Sequence, residues 1–263
     1  MKFDGGAFFG VVPKVLWSRQ IPADRRNRVT VGVNCLLIQA GGKTILVDTG
    51  LGTKHDRKWK TMYGLQTGRL LEQLRQRGVA PEAVDLVLLS HLHFDHAGGC
   101  TRKDSSGKIV PTFPRAKYLV QRSDWEEATH PNERNRAGYF SRDFVPVEEH
   151  KQLELLDGDE EVMPHVWVKR TGGHTKGHQM VMLKVGEQRM ACLFDLVPTP
   201  VHLPLPWIAS FDLFPVEVLD LKRTLLAQAE QERWLLLFDH GLTERAGYLE
   251  RSGASYRLKP LEL

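Results

Sequence analysis

Six consecutive residues, His91-Leu92-His93-Phe94-Asp95-His96, carry three imidazoles and a carboxylate. Imidazole nitrogen suits zinc and related first-row metals, and a carboxylate adds charge neutralisation. An extended strand sends alternate side chains to opposite faces, so the four groups converge only if the chain turns here. With 11 histidines in 263 residues, a shuffled chain would contain this pattern roughly once in a thousand. Three further places complement it. Gly172-Gly173-His174-Thr175-Lys176-Gly177-His178 is a glycine-flanked turn, Asp195 follows an apolar run, and His240 follows another with Gly241 behind it. Each stands at the C-terminal end of an apolar segment, where loops at a sheet edge assemble sites. Singly, each has an ordinary alternative as a turn residue, helix cap or surface group. Beside the first motif they read as further ligands.

The elements that must position these groups are short strands alternating with a few amphipathic helices. Strands are predicted at 29–39 and 44–47, joined by a Gly41-Gly42 hairpin turn. A buried strand at 85–90 runs Leu-Val-Leu-Leu without alternation and leads directly into His91. Others are predicted at 117–121, 153–156, 166–170, 179–185, 189–194 and 235–238. Leu70, Leu71 and Leu74 predict a helix over 64–78 that Gly78 stops. Ser123 and Glu126 predict a capping box opening a helix to about residue 129. Residues 130–147 show no period and are expected to be irregular, as are 198–206 with their four prolines. A helix from Pro215 to about residue 232 is expected to bury Val218, Leu221, Leu225 and Ala229. No linker divides the chain, so a single domain over 1–263 is expected.

Composition excludes several classes. At 41% hydrophobic and 26% charged residues the chain is not a disordered one. Cys35, Cys100 and Cys192 are odd in number and far apart, which makes no disulfide framework and no CxxC zinc module. The formal charge of +4 is dispersed, and the densest basic cluster, Arg25-Arg26-Asn27-Arg28, is short. A nucleic-acid partner, which calls for a basic stripe, is therefore not expected. Nor is a membrane partner, because no apolar run approaches the ~20 residues of a bilayer span. The apolar N-terminal stretch is broken by Asp4, Gly5, Gly6 and Pro13 and lacks a cleavage pattern, so a cytoplasmic protein is expected.

With these motifs in this order, the chain resembles the metallo-β-lactamase superfamily, in its dinuclear hydrolase branch, from about Val29 to His240. The resemblance implies an α/β (α+β) fold, a four-layer αβ/βα sandwich of two mixed β-sheets flanked by helices. It implies that His91, His93 and His174 bind one metal, that Asp95, His96 and His240 bind a second, and that Asp195 bridges them. Asp48 and His178 are implied as orienting supports rather than ligands. Asp195 stands where some β-lactamases have Cys, and His93 where the di-iron flavoproteins have Glu. Only 23 residues follow His240, fewer than a glyoxalase II helical domain needs. The remaining likeness is to N-acyl-homoserine lactonases and methyl-parathion-hydrolase-like enzymes, which the 5–17 stretch also resembles. The substrate-contacting tyrosine of the better-known lactonases is replaced here by Pro198.

The implied cofactor is a pair of divalent ions. Zinc is the default, and iron, manganese and cobalt also suit such ligands. Two ions about 3.5–4 Å apart can hold a bridging hydroxide and polarise a carbonyl or phosphoryl oxygen. The expected substrates are small lactones or esters, with Asp95 and Asp195 as the catalytic carboxylates. Phosphotriester cleavage at the same site is the alternative within this chemistry. A non-catalytic metal-binding protein is the alternative of another class, and the complete ligand set argues against it. Phe8, Phe9, Trp17, Tyr139, Phe140, His202, Trp207 and Phe211 are candidates for the substrate pocket, with core packing as their ordinary alternative. A homodimer is compatible with the resemblance.

Overall fold

The structure is a computed structural model and describes residues 1–253 and 255–261. It divides into two compact units, one of Cys35–Asp157 and one of Met1–Asn34 with Gly158–Leu263. The mixed α/β expectation holds: each unit is built on its own mixed sheet.

In the Cys35–Asp157 unit, Leu36–Ala40 and Lys43–Val47 form a hairpin, with Ala40 opposite Lys43. Gly41 and Gly42 both take positive φ at its turn, as a two-residue hairpin requires. Strands Leu86–Leu88, Lys117–Gln121 and Leu153–Leu156 then add in parallel to complete five strands. Parallel strands need cover on their faces. The core that supplies it joins Leu46, Val87 and Val120 to Leu74, Ala128 and Phe144 from helices Arg69–Gln76, Arg122–Thr129 and Ser141–Glu149.

Three local predictions change here. The helix expected over 64–78 is the shorter Arg69–Gln76, and an unpredicted helix, Arg57–Tyr63, precedes it, with Gly64 and Gly68 at left-handed φ between the two. Helix Arg122–Thr129 opens at Gln121 with no side-chain cap, so Ser123 lies inside the first turn and there is no capping box. The stretch expected to be irregular contains helix Ser141–Glu149 despite Pro146. Pro146 lacks the N–H that would reach the Arg142 carbonyl, and Thr101 Oγ1 donates to that carbonyl instead at 2.7 Å.

Lys54 and Asp143 form a buried ion pair at 3.0 Å in this unit. The Lys54 ammonium also donates to the carbonyls of Gly98 and Thr101. Burial pushes the Asp143 carboxyl from 3.8 up to about 6, against the pull of Lys54. A carboxyl whose folded pKa exceeds its unfolded one contributes stability below the unfolded value and loses it as pH rises through the folded value. The stability advantage of the parent over Asp143→Asn is therefore expected to fall by about 2 kcal/mol between pH 4 and pH 7. Urea unfolding of the two proteins across that range measures it.

In the other unit, Lys2–Asp4 pairs with Arg28–Thr30. The predicted strand 29–39 is thus two strands in different sheets. The main sheet has seven strands in the order Glu160–Met163, Val166–Arg170, Gln179–Val185, Gln188–Cys192, Leu235–Leu237, Ala246–Ser252 and Ser255–Pro260. Only Gln188–Cys192 and Leu235–Leu237 run parallel. Helix Pro215–Gln231 crosses between those two, and its buried positions are Val218, Lys222, Leu226 and Ala229. The buried stripe is thus turned from the predicted one, with Leu221 and Leu225 at its margin. Lys222 can be buried because its ammonium donates to the carbonyls of His202, Pro204 and Trp207 at 2.6–3.0 Å. Burial pulls its pKa down to about 7, but only the charged amine has the three N–H groups those carbonyls use. The proline-rich connection 198–207 is held in this way, with a turn of 3-10 helix at Pro200–His202. Among the described residues no helix is long and apolar enough to cross a membrane.

Candidate functional site

In the Cys35–Asp157 unit, strand Leu86–Leu88 ends just before Ser90, and His93 caps a four-residue helix, Phe94–Ala97. The turn between them brings the motif together. The Asp124 carboxylate accepts the Leu92 N–H at 2.8 Å, and the His96 carbonyl accepts from Thr49 N at 2.7 Å and Thr49 Oγ1 at 2.8 Å. Gly98 permits a close approach, since a Cβ there would stand 2.5 Å from the Leu51 carbonyl oxygen.

Asp48 is the anchor of this group. It takes a left-handed φ of 55°, rare for a residue with a side chain. Its carboxylate accepts from Ser90 N, Ser90 Oγ and His96 Nδ1, each at 2.8 Å. A carboxylate only accepts, so His96 carries its proton on Nδ1 and presents the Nε2 lone pair. Ser90 Oγ spends its one proton on Asp48 and therefore accepts from His91 Nδ1 at 3.0 Å. His91 thus also presents Nε2, which lies 2.9 Å from His93 Nδ1. Asp95 is buried beside them.

The other candidate groups lie in the second unit. The glycine-flanked turn closes on the His178 carbonyl, which accepts from Thr171 N at 2.8 Å and Gly172 N at 2.9 Å. Gly173 takes a φ of +81°, and a Cβ there would meet Val218 Cγ2 at 2.9 Å. This turn holds His174, fully buried, with Nδ1 against Asp212 Oδ1 at 2.5 Å and Nε2 against Asp195 Oδ2 at 3.1 Å. Burial pushes the Asp212 carboxyl up and His174 pulls it down. His240 donates from Nδ1 to the Gly32 carbonyl at 2.9 Å, and its Nε2 faces Asp195 Oδ1 at 3.1 Å. The Pro198 carbonyl accepts the His240 N–H at 3.1 Å. Asp195 sits in a 3-10 turn, Phe194–Leu196, entered through a left-handed Phe194 at φ 48°.

These donors fit metal ions. Two ligands about 2.0–2.1 Å from one tetrahedral ion stand about 3.3 Å apart. The His91–His93, His174–Asp195 and His240–Asp195 spacings of 2.9, 3.1 and 3.1 Å are close to that. Asp195 offers a different oxygen to each histidine. Single donor atoms of Asp195, Asp239 and His240 lie within 4.8 Å of one another. Behind the histidines stand Ser90, Asp48, Asp212 and a carbonyl, the partners that fix imidazole tautomers at metal sites.

Sequence reasoning missed Asp212, Asp239, Asp124 and Ser90. Asp239 had a visible signal, as a carboxylate next to His240 at a strand end. Ser90 adjoins the His91 it holds, whereas Asp124 and Asp212 lie 32 and 38 residues from their partners. His178 packs edge-on to His174, centroids 5.7 Å apart, and its Nδ1 meets Thr171 Oγ1 at 2.6 Å.

The pocket candidates divide. Phe8, Phe9, Trp17 and His202 are at most 1% exposed and pack on one another, Phe9 stacking on His202 at 4.9 Å and on Trp17 at 5.1 Å. Burial pulls His202 down to about 3, so its neutral ring donates from Nε2 to the Phe8 carbonyl at 2.9 Å and accepts at Nδ1 from Thr199 Oγ1 at 2.8 Å. Tyr139 is buried with its ring 4.8 Å from that of His93. Phe140, Trp207 and Phe211 are half-buried. Phe140 packs on Trp59 at 4.8 Å under the Arg142 guanidinium.

Residues 28–240 match the Metallo-beta-lactamase superfamily. An N-acyl homoserine lactonase of a Bacillus species is 30% identical over 161 residues, which span 57% of each protein. The N-acyl homoserine lactonase of Bacillus thuringiensis is 27% identical over 224 residues, covering 80% of this chain and 81% of the relative. Among solved structures, a probable metal-dependent hydrolase from Staphylococcus aureus is 28% identical with a TM-score of 0.89, covering 100% of this chain and 94% of its own. The dizinc quorum-quenching lactonase AidC, solved with a product homoserine, is alike in fold at 20% identity, with a TM-score of 0.81 and coverage of 100% and 92%.

Proposed function

The chain belongs to the metallo-beta-lactamase superfamily and is a metal-dependent hydrolase, and we propose that its reaction is the opening of a lactone or the cleavage of an ester. The observation that carries this reading is Asp195, whose two oxygens each face a buried histidine at 3.1 Å, the disposition of a carboxylate that bridges two ions. In this proposal His91, His93 and His174 hold one ion, Asp95, His96 and His240 hold the second, and Asp195 serves both. Bound there, two divalent ions, zinc by default, would lower the pKa of water towards about 7 and polarise the carbonyl oxygen.

The chain's own groups have the following roles. Asp48, through Ser90 and directly, keeps His91 and His96 in the tautomers that offer Nε2. Asp212 does the same for His174 and the Gly32 carbonyl for His240. Asp95 takes the proton released when water adds to the carbonyl carbon and returns it to the alkoxide oxygen as the C–O bond breaks. With Pro198 at the position of the family tyrosine, that residue acts through its carbonyl on the His240 backbone, not on the substrate. On the same reading the chain works in the cytoplasm as one domain, on small molecules rather than nucleic acid or membrane, as a monomer or a homodimer.

The test is metal content with turnover. Purified protein is expected to bind about two ions per chain. It is expected to reach a kcat/KM of about 10⁴–10⁸ M⁻¹s⁻¹ on one class in a panel of acyl-homoserine lactones, simple lactones, aryl esters, phosphotriesters and a β-lactam. Fewer than two ions, or lactone hydrolysis left intact by His96→Ala, overturns it.

A further inference from the structure

Phe3 was not among the pocket candidates, yet its ring stands edge-on to His240, with centroids 5.8 Å apart and planes at 87°. Phe211 takes the same posture against His174, at 5.8 Å and 88°. The two phenyl rings meet each other at 5.7 Å, tilted by 39°. Both are half-buried, whereas the aromatic rings behind them, Phe8 and Phe9, are fully buried. The pair therefore leaves apolar surface beside the two histidines that face Asp195.

That surface is held firmly. The Met1 ammonium donates to the Val31 carbonyl at 2.8 Å, and Phe3 pairs with Val29. Phe8 stacks on the back of Phe3 at 5.3 Å and 9°. The Phe8 carbonyl is fixed by His202, and the Ala7 carbonyl accepts from Ser210 N at 2.9 Å, one residue before Phe211. Two rings backed in this way keep their positions without a ligand, so little ordering accompanies contact with one. An apolar wall next to polar donors is also the usual composition of a small-molecule site.

Resting on the lactone or ester reading above, we propose that Phe3 and Phe211 form an aromatic wall that receives the apolar group flanking the scissile carbonyl and so sets substrate preference. The group is either an aryl ring or an alkyl chain, and the two are separable by experiment.

The experiment uses the zinc-loaded full chain, parent and Phe3→Ala, Phe3→Leu, Phe3→Tyr and Phe211→Ala. Two substrate pairs differ in the apolar group: phenyl acetate against methyl acetate, and γ-decanolactone against γ-butyrolactone. Removing a wall ring is expected to lower the preference for the larger member of at least one pair about tenfold, through KM rather than kcat. Phe3→Tyr is expected to retain it. The pair that responds identifies aryl or alkyl. Calorimetric binding of phenylacetate against acetate reads the same wall without turnover, and the zinc content and unfolding midpoint of each variant are measured alongside. Unchanged preference and unchanged binding ratio in Phe3→Ala and Phe211→Ala with full zinc content overturn the proposal. If Phe3→Ala does not fold, Phe3→Leu is held to the same criterion. If the parent turns over no substrate, the lactone and ester reading falls, and the calorimetric ratio alone decides whether the wall exists.

Discussion

Asp195→Asn is expected to lower kcat/KM by at least about 10³-fold and to leave one metal ion or fewer per chain. The residue shares its two oxygens between His174 and His240 at 3.1 Å each and is itself buried. Asparagine keeps the shape but replaces one acceptor oxygen with an N–H donor and removes the negative charge. Whichever way the amide turns, one of the two histidines faces a group that cannot ligate alongside it. Ground-state structure should survive, because asparagine keeps the shape of the side chain and the backbone turn entered at Phe194 is unchanged. The loss would therefore appear in metal stoichiometry and turnover without collapse of the unfolding midpoint. Retention of two ions with activity within tenfold of the parent would remove Asp195 from the centre of the account.

The contrast between Asp195 and Asp212 shows what a sequence can make legible. Asp195 follows a strand and falls in an order of motifs that a reader can match. Asp212 lies 38 residues from the histidine it holds, in a stretch whose local pattern, Ser-Phe-Asp-Leu-Phe, looks like an ordinary turn. Its position is set by the two residues after it, whose N–H groups donate to the His174 and Gly173 carbonyls at 3.0 and 2.9 Å. Strand ends and hairpins were readable for the reason that they obey local rules: Leu-Val-Leu-Leu before His91, and Gly41-Gly42 at positive φ. Helix Arg57–Tyr63 was not readable, since it is seven residues long, buries none of them and offers only Trp59, Met62 and Tyr63 as an apolar stripe. Helix Ser141–Glu149 was hidden by Pro146, whose missing N–H is made good by Thr101, 41 residues from the carbonyl it serves. Phe3 was passed over because an aromatic in the third position says nothing of where its strand docks. The legible parts are governed by neighbours in sequence, and the missed parts by partners that only the tertiary structure supplies.

Asp48 tests the most distant layer of that dependence. Asp48→Ala is expected to destabilise the protein by at least about 3 kcal/mol and to weaken metal binding by about 10–100-fold. The carboxylate is 2% exposed, and its removal strips the acceptor from Ser90 N, Ser90 Oγ and His96 Nδ1 together. Each donor left unsatisfied in a buried site costs about 1–3 kcal/mol. Ser90 Oγ, no longer obliged to donate to Asp48, can donate to His91 Nδ1 and thereby put the imidazole proton on Nε2, the nitrogen meant for ligation. A single side chain thus controls the tautomers of two histidines it reaches by different routes. Alanine is also a poor residue for the left-handed φ of 55° at this position, whereas asparagine tolerates it. Asp48→Asn should accordingly recover the backbone part of the lost stability and little of the metal affinity, because its amide offers one acceptor where the carboxylate offered several. Urea unfolding of the two variants separates these contributions, and competitive zinc titration reads the tautomer effect alone. If Asp48→Ala stays within about 1 kcal/mol of the parent and binds zinc within a factor of about three, the histidines hold their tautomers without Asp48.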